Sequence, residues 1–537
     1  MKHYKIILLT LLGISLATCT SEDLDVAPVN EFLSENFYQT DDQVFGALIA
    51  AYDPIGWTMA FGNWISEVMY GEIRSDNAYA GGDPSDNDQP GWQEFDDFRN
   101  TNTNTVIQPM YRRFYIGIFR ANLVIHQPEF SSPAVDRFQA EAKFLRAYYH
   151  FELFRHFGPI PVVTELLSPE DVNLGRNTLS EVFTAIETDL LDAIALLPIT
   201  VSSSDAGRAT KGSAQALLGK AYMYWGDLLG DDQSMFDKAA EQFGEVVNSG
   251  AYALLDDYHD LYVFGLKNPS ESVFEIQKTN LWPSDWGWFE GIEGNGIVQL
   301  CGVRGLCSAH PDYIDGWGFM LPTKSLYDSY LPDDTYRRDV SIITEEQLAD
   351  DIAAAGGSCN VVVDLTQSNP QDYTGMWQEK YANFKAYEGN NVNGGDPFLT
   401  KDDNIYSIRY ADVLLMYAEM LHRGSGSDSE AMSHIDVVRE RAAGPDANSF
   451  RSTSQLMNDL GWSLMDVIWY ERRAELALEG DRWFDLVRSG RAAATLFDDD
   501  LRSGNFNADQ HLWLPISFEE TSVAPNLTEF PDQSLFQ

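Results

Sequence analysis

Residues 141 to 165 constrain the fold more strongly than any other segment of the chain. They read EAKFLRAYYHFELFRHFGPIPVVTE, so that aromatic and apolar side chains fall on every face of a helix. A helix of this kind is typically packed on several sides inside a larger helical body. Gly158 and Pro159 predict its end, because glycine supplies a C-terminal cap and proline cannot continue a helix. The segment therefore predicts a large, mainly α-helical protein.

Helix pairs with tetratricopeptide-like spacing extend this prediction. Residues 214–247 fit best, with Leu-Gly-x-x-Tyr starting at Leu218 in a first helix and Ala-x-x-x-Phe starting at Ala239 in a second. Glycine and alanine at these positions let two helices approach closely, and the tyrosine fills the groove between them. Two weaker pairs are residues 411–420 with 431–438 and residues 138–157 with 181–197. The spacing predicts a helical repeat scaffold.

The amino terminus has the features of an export signal. Lys2 and Lys5 provide a short positive region, and residues 6–17 form an apolar run of about a dozen residues. That run is too short to cross a bilayer core, which needs roughly 20 residues. It is typical of a cleaved signal peptide.

The end of this run resembles a lipid attachment site. Residues 16–19 read Leu-Ala-Thr-Cys, so Cys19 would become the acylated first residue of the mature chain. We therefore expect a signal peptide at residues 1–18, followed by one large α-helical domain at residues 19–537 that a lipid anchors at Cys19. An ordinary secretory signal followed by a charged linker is the alternative.

The charge of the chain excludes several classes of ligand. There are 82 acidic and 36 basic residues, which gives a formal net charge of −46 at pH 7. Nucleic acid binding needs clustered lysine and arginine, so nucleic acid is not an expected partner. Polyanionic glycans should also be repelled unless a local basic pocket overrides the overall charge. A neutral ligand fits this composition better.

Three cysteines remain once Cys19 is assigned to the lipid. Cys301, Cys307 and Cys359 allow one disulfide and one free thiol outside the cell. Cys301 and Cys307 are close in sequence and could staple the glycine-rich loop that they share. No CxxC pair or HExxH motif is present, so neither a metal–thiolate site nor a cofactor is expected.

Three long stretches rich in Gly, Asn, Asp and Trp interrupt the helical blocks. They are residues 70–104, 280–318 and 356–400. Loops of this length in a compact protein are usually functional or disordered. Their aromatic content argues against disorder, because disordered segments contain few Trp and Tyr residues. We therefore expect ordered, functional loops.

The densest aromatic cluster in these loops is a candidate sugar-binding site. Trp282, Trp286 and Trp288 lie beside Phe289, with Asp285 and Glu290 on either side. An exposed indole stacks on the C–H face of a pyranose, and a carboxylate accepts hydrogen bonds from its hydroxyls. Each such ring offers on the order of 150–250 Å² of contact. The alternative is that some of these tryptophans pack on the scaffold, as we expect for Trp57 and Trp64 in their helical context.

Several segments together resemble the SusD-like (SusD/RagB) lipoproteins, the glycan-binding partners of outer-membrane transporters in Bacteroidetes. The resemblance runs in family order from residue 19 to about residue 530 and rests on residues 141–165, 406–419, 471–488, 512–516 and 525–527. Acidic residues after Cys19 resemble the signal that sends such lipoproteins to the cell surface. The stretch around Trp317 resembles a recurrent family segment, which favours a structural role for that residue.

The resemblance implies both a function and a site. A SusD-like protein caps a SusC-like TonB-dependent transporter at the outer membrane, captures an oligosaccharide or polysaccharide and delivers it as a moving lid, without catalysis. The family's site lies on loops off the repeat face, near an early loop and a loop around residues 280–300. By loop position it maps onto Asn77, Tyr79, Trp92, Trp282, Trp286 and Trp288. A neutral β-glucan such as laminarin is the ligand that we predict.

Two rival functions remain at this stage. Glycoside hydrolysis needs two carboxylates roughly 5–10 Å apart, one of them with a raised pKa; acidic residues are abundant, but no motif fixes such a pair. An assembly protein would use the repeats for protein contacts alone. The charged runs at residues 471–473 and 481–483 are more typical of internal ion pairs than of a catalytic site.

Overall fold

A computed structural model describes most of the chain. The described residues are 37–82, 88–171, 173–281, 286, 293–361, 373–389, 394–444, 450–496, 502 and 504–536. The predicted signal peptide and Cys19 lie outside these ranges, as do Trp282 and Trp288. Across the described residues, no helix has both the length and the apolar character that a membrane span requires.

The described chain is mainly helical, with a few short strands. The helices are α1 Asp41–Tyr52, α2 Glu67–Ile73, α3 Pro90–Asp96, α4 Ile107–His126, α5 Pro133–Phe157, α6 Leu179–Leu196, α7 Lys211–Leu228, α8 Gln233–Asn248, α9 Gly296–Cys301, α10 Lys324–Ser329, α11 Thr335–Ser341, α12 Glu345–Ala354, α13 Tyr410–Arg423, α14 Asp428–Ala442, α15 Thr453–Leu460, α16 Leu464–Glu475, α17 Arg482–Arg488, α18 Ala492–Leu496, α19 Ala508–His511 and α20 Phe518–Val523. The strands are β1 Met59–Ala60, β2 Asn63–Trp64, β3 Ala78–Gly81, β4 Ser272–Ile276, β5 Phe319–Pro322, β6 Ile342–Thr344, β7 Met376–Gln378 and β8 Ile405–Arg409.

The strands form four two-stranded antiparallel pairs. β1 pairs with β2, β3 with β5, β4 with β8 and β6 with β7. Only the first of these pairs is a local hairpin. The other three join segments that are distant in sequence, so the strands tie the loops to the scaffold instead of forming a core of their own.

The three predicted helix pairs are confirmed as packed neighbours. α5 packs on α6, α7 on α8 and α13 on α14, and further contacts join α6 to α7 and α8 to α13. At Gly219 in α7, a Cβ atom would lie 2.6 Å from the ring of Phe243 in α8. The two helices can approach this closely only because glycine has no side chain. The result is a continuous row of packed helices, the tetratricopeptide-like scaffold that the spacing predicts.

Helix α5, which contains most of the aromatic segment at residues 141–165, is packed on all sides. Almost every residue of α5 from Phe138 onward is buried. Ser132 caps its amino end, and the N–H of Gly158, at φ +68°, donates to the carbonyl of Phe154 at 2.8 Å. α5 therefore ends where the glycine permits a left-handed backbone.

A group of buried ion pairs holds the carboxy-terminal helices together. We call it the ion-pair cluster; its members are Glu271, Arg337, Arg409, Arg441, Glu471 and Glu475. Glu475 alone bonds to Arg441 at 2.5 Å, Arg409 at 2.9 Å and Arg337 at 3.2 Å. The internal ion pairs predicted for residues 471–473 and 481–483 are thus confirmed, because Arg472 and Arg482 also bind buried aspartates.

The disulfide joins a different pair of cysteines from the one that the sequence suggested. Cys307 is bonded to Cys359, with their Cα atoms 6.4 Å apart. Cys301 is a free thiol, buried at the end of α9 in the main core. One disulfide and one free thiol are therefore confirmed, whereas the suggested bridge between Cys301 and Cys307 is wrong.

Candidate functional site

Three aromatic side chains from distant parts of the chain form a partly exposed surface. We call Trp286, Trp317 and Phe398 the aromatic platform. Trp286 and Trp317 lie over the buried Trp64, and Phe398 contacts Trp317. The rings of Trp286 and Trp317 are stacked with centroids 6.0 Å apart, and Phe398 meets Trp317 edge to face at 5.7 Å. Trp286 is 42% exposed and Phe398 is 41% exposed. Such exposed, contiguous aromatic area is typical of a binding surface.

Trp64 provides the base of the platform. It ends the β1–β2 hairpin, whose two turn residues, Phe61 and Gly62, have φ values of +52° and +78°. Its ring meets those of Trp286 and Trp317 edge to face at 6.0 and 5.7 Å. At Gly296, the first residue of α9, a Cβ atom would lie 2.3 Å from this ring. Trp64 is thus fixed between the hairpin and α9, which confirms the predicted core role of Trp64.

The backbone around Trp317 is fixed just as firmly. The N–H of Trp317 donates to the carbonyl of Gln299 at 3.0 Å, and the N–H of Gly318 donates to that of Gly302 at 2.9 Å. At Gly316 a Cβ atom would lie 2.4 Å from the Cα of Gly302, so only glycine permits this approach. Trp317 has the structural contacts that we predicted, and it also contributes half-buried surface to the platform.

Asp396 connects the remaining two members of the platform. Its Oδ2 accepts a hydrogen bond from the indole Nε1 of Trp286 at 2.5 Å, and its Oδ1 accepts one from the N–H of Phe398 at 2.9 Å. An indole has a single hydrogen-bond donor. Because Asp396 takes that donor and Trp317 stacks on one face, Trp286 offers the other face of its ring to a ligand.

Acidic groups outnumber basic ones around the platform. Arg304 lies against Trp317, but its Nη1 is paired with Asp88 at 3.0 Å. Asp315 and Asp396 are close by, and each carboxylate accepts backbone N–H bonds. The local charge therefore resembles that of the whole chain and disfavours anionic ligands.

Two of the residues predicted as ligand contacts are buried instead. The Nδ2 of Asn77 donates to Glu72 at 2.9 Å, and its Oδ1 accepts from Arg473 at 2.9 Å. Trp92 has no exposed surface and packs on Phe95. Neither side chain can reach a ligand in this conformation, because both are enclosed by the core.

Tyr79 has an intermediate position. It is half-buried on β3, and the guanidinium of Arg502 lies 4.7 Å from its ring centre. β3 pairs with β5, and the N–H of Gly82 donates to the carbonyl of Gly318 at 2.8 Å. The early loop therefore begins beside Trp317. The early loop thus meets the later stretch at Gly318, whereas Trp286 and Trp317, which contact each other, both belong to that later stretch.

The described residues hold no group of three or more His, Cys, Asp or Glu side chains arranged to bind a metal ion. Four of the described carboxyl groups have a strongly raised pKa. Burial raises the pKa of Asp227 and that of Asp403 to about 6. Burial raises the pKa of Glu72 to about 7, and burial likewise raises that of Glu379 to about 7. Glu72 is fully enclosed, and Glu379 accepts a hydrogen bond from the hydroxyl of Tyr313. Asp227 is paired with Arg488, and Asp403 accepts a hydrogen bond from Tyr387, so none of the four belongs to the platform.

Comparisons with known proteins agree with this architecture. Residues 59–223 match a family described as starch-binding and associating with the outer membrane, and residues 293–532 match the SusD family. The chain is 28% identical to SusD-like protein P2 of Formosa agariphila, over 98% of this chain and 99% of the relative.

Two solved structures are similar over nearly their whole length. A laminarin-binding SusD-like protein is 33% identical, with a TM-score of 0.77 over 92% of this chain and 100% of the other. Surface glycan-binding protein A from Bacteroides thetaiotaomicron, solved in complex with laminarihexaose, is 26% identical, with a TM-score of 0.77 over 91% of this chain and 98% of the other.

Proposed function

The chain belongs to the SusD-like family, and from that premise we propose that it is a cell-surface lipoprotein that captures a neutral β-glucan such as laminarin and delivers it to a SusC-like TonB-dependent transporter. The observation that carries the proposal is the exposed aromatic platform on a SusD-like fold. Its ligand class is supported by two structural relatives, one that binds laminarin and one solved with laminarihexaose.

The platform suits a sugar for simple physical reasons. The faces of Trp286 and Trp317 are large and apolar, and a pyranose ring presents C–H groups that stack on such faces. The carboxylate of Asp396 stands at the edge of Trp286 and accepts the indole N–H. Two such rings would give an affinity on the order of micromolar to millimolar. Weak binding fits a polymer that must be released to a transporter.

The neighbouring residues of the sequence complete the proposed site. Trp282 and Trp288 flank Trp286 and lie outside the described residues, and we retain both as proposed ligand contacts. Tyr79 is retained as a contact at the margin, because it is half-buried. Asn77 and Trp92 are left out, because the core encloses them.

The charge around the platform supports the choice of a neutral glycan. The only arginine described in contact with a platform residue is Arg304, and Asp88 neutralises it. An anionic polysaccharide would meet Asp315 and Asp396, and among the described residues the arginine that contacts the platform is already paired with Asp88. Binding of a neutral glucan requires no such compensation.

Anchoring and transport follow from the family and are part of the proposal. Acylation of Cys19 would hold the protein at the outer membrane, and the repeat face would contact the transporter. We propose no catalysis, because the four carboxyl groups with a strongly raised pKa are all bonded within the scaffold: Glu72, Asp227, Glu379 and Asp403.

Affinity electrophoresis tests this function. Residues 20–537 would be run through gels that contain laminarin, starch, cellulose derivatives or alginate, with reducing ends assayed in parallel. We expect retardation by laminarin, none by alginate and no new reducing ends. New reducing ends would favour a hydrolase, and migration unaffected by every glycan would overturn glycan capture. Trp462→Ala, a half-buried tryptophan on another part of the surface, is the matched control for Trp286→Ala.

A further inference from the structure

The carboxylate of Asp396 joins the two loops that carry Trp286 and Phe398 of the aromatic platform. Trp286 and Asp396 are separated by 110 positions in the sequence, yet the indole Nε1 lies 2.5 Å from Oδ2. We infer that Asp396 is a positioning residue for glycan binding, which acts by fixing the orientation of Trp286 before a ligand arrives. This inference rests on the proposed function.

The bonds of Asp396 support a positioning role. Oδ1 accepts the N–H of Phe398 at 2.9 Å, and the main-chain carbonyl accepts the N–H of Leu399 at 3.0 Å and the hydroxyl of Thr400 at 3.2 Å. These three bonds close the turn that Gly394 and Gly395 open with positive φ values. The turn is therefore held by its own hydrogen bonds, and Oδ2 remains available as an acceptor for a side chain from another loop.

The hydrogen bond to Trp286 fixes the orientation of its ring, which the contacts with other rings do not. Trp64 and Trp317 touch Trp286 through apolar surface, which attracts rings without specifying which edge faces inward. A hydrogen bond is directional and requires the Nε1 edge to face Asp396. The opposite edge and the free ring face are then directed away from the loop that carries Asp396.

Preorganisation has a measurable consequence. A side chain that must become ordered on binding reduces the affinity, because the lost rotamer freedom opposes association. Removal of a hydrogen bond to a charged group typically changes an equilibrium by about tenfold or more. We therefore expect Asp396→Ala to weaken laminarihexaose binding by roughly tenfold.

Asp396→Asn separates the two roles of the side chain. Its carbonyl oxygen can still accept the N–H of Phe398, but its amide nitrogen cannot accept the indole N–H. The turn should persist while the bond to Trp286 is lost. Asp396→Asn should therefore weaken binding about as much as Asp396→Ala, whereas Asp350→Ala, exposed on α12, should have no effect.

A double-mutant cycle tests whether Asp396 affects glycan binding through Trp286. Titration calorimetry with laminarihexaose would compare the wild type, Asp396→Asn, Trp286→Ala and the double variant, and tryptophan emission would be recorded for each. We expect Asp396→Asn to add nothing in the Trp286→Ala background, and to shift the emission only when Trp286 is present.

The outcomes separate the two proposals. Additive losses would show that Asp396 contacts the glycan directly and would overturn the positioning role. Unchanged affinity and emission in Asp396→Asn, with a wild type that binds, would overturn only this inference. A wild type that binds no laminarihexaose in calorimetry and no laminarin in gels would overturn the proposed function and the inference with it.

Discussion

The ion-pair cluster and the aromatic platform each depend on a carboxylate, but the carboxylate has a different role in each. In the cluster, Glu475 is fully enclosed and three arginines satisfy its charge. In the platform, Asp396 is half-buried and its carboxylate orients rings that are open to solvent on one side. The first arrangement specifies how helices pack, and the second keeps a surface available. Stability and ligand binding should therefore respond to different mutations.

The largest effect is expected in the cluster. Glu475→Ala leaves three buried guanidinium groups without a common partner, and breaking a buried pair typically costs about 3–5 kcal/mol. Urea unfolding should show this loss. Lys324→Ala, which removes an ion pair on the exposed face of α10, is the control and should hardly move the midpoint. Equal midpoints for Glu475→Ala and the wild type would contradict the structural role of the cluster.

The same cluster predicts sensitivity to acid. Burial alone would raise the pKa of Glu475, but the charges of Arg441, Arg409 and Arg337 outweigh it and lower the pKa to about 2. A carboxyl group whose pKa is lower in the folded state contributes stability above its unfolded pKa of 4.5. That contribution is lost as the pH falls from about 4.5 towards 2. Urea midpoints of Glu475→Gln measured across this range should fall less steeply than those of the wild type.

Gly296→Ala tests the contact between helix α9 of the scaffold and Trp64, the base of the platform. The added Cβ atom would meet the ring of Trp64 at 2.3 Å, and such overpacking typically costs about 1–3 kcal/mol. Because Trp64 supports both tryptophans of the platform, glucan affinity should fall along with stability. Urea unfolding and calorimetry on the same sample would measure both. Gly46→Ala, a helical glycine with nothing within 4 Å of the added atom, is the control.

Phe398→Ala should have the smallest effect. The ring touches Trp317 edge to face, and aromatic pairs of this kind contribute about 0.5–1.5 kcal/mol. We expect laminarihexaose affinity to fall by a few-fold because one of the three platform rings is lost, and the melting temperature to fall only slightly, as measured by calorimetry and thermal unfolding. Phe119→Ala removes a phenylalanine that is 55% exposed on α4 and should leave the affinity unchanged. A similar loss in both variants would point to a general effect of exposed aromatic residues.

Local pattern was sufficient to predict the scaffold. The helix pairs were recognised because glycine, alanine and aromatic residues recur at the spacing that close helix packing requires. The end of α5 at Gly158 follows from the same kind of reasoning. Trp57 and Trp64 are buried as predicted, but the helical context on which that prediction rests is wrong, because Trp57 follows a short turn and Trp64 lies on β2.

The platform could be predicted only in part. Trp286 was recognised as aromatic and loop-borne, but its partners Trp317, Asp396 and Phe398 reach it through long-range contacts that no local pattern reveals. The run Gly-Gly-Asp-Pro-Phe at residues 394–398 was the available signal, since it combines a turn with an apolar ring. Loop position assigns Asn77 and Trp92 to the site, whereas Asn77 is bonded to Glu72 and Arg473 and Trp92 packs on Phe95 in the interior.

The most direct test of the contrast between scaffold and platform is a paired measurement on Trp286→Ala. Laminarihexaose affinity and melting temperature would be determined for the wild type, Trp286→Ala and Trp462→Ala. Truncation of a central aromatic contact typically costs 1–2 kcal/mol or more, so we expect affinity to fall by about tenfold or more. The melting temperature should not change, and Trp462→Ala should bind like the wild type. An unchanged affinity, or a loss of affinity accompanied by a lower melting temperature, would contradict the separation of binding from stability.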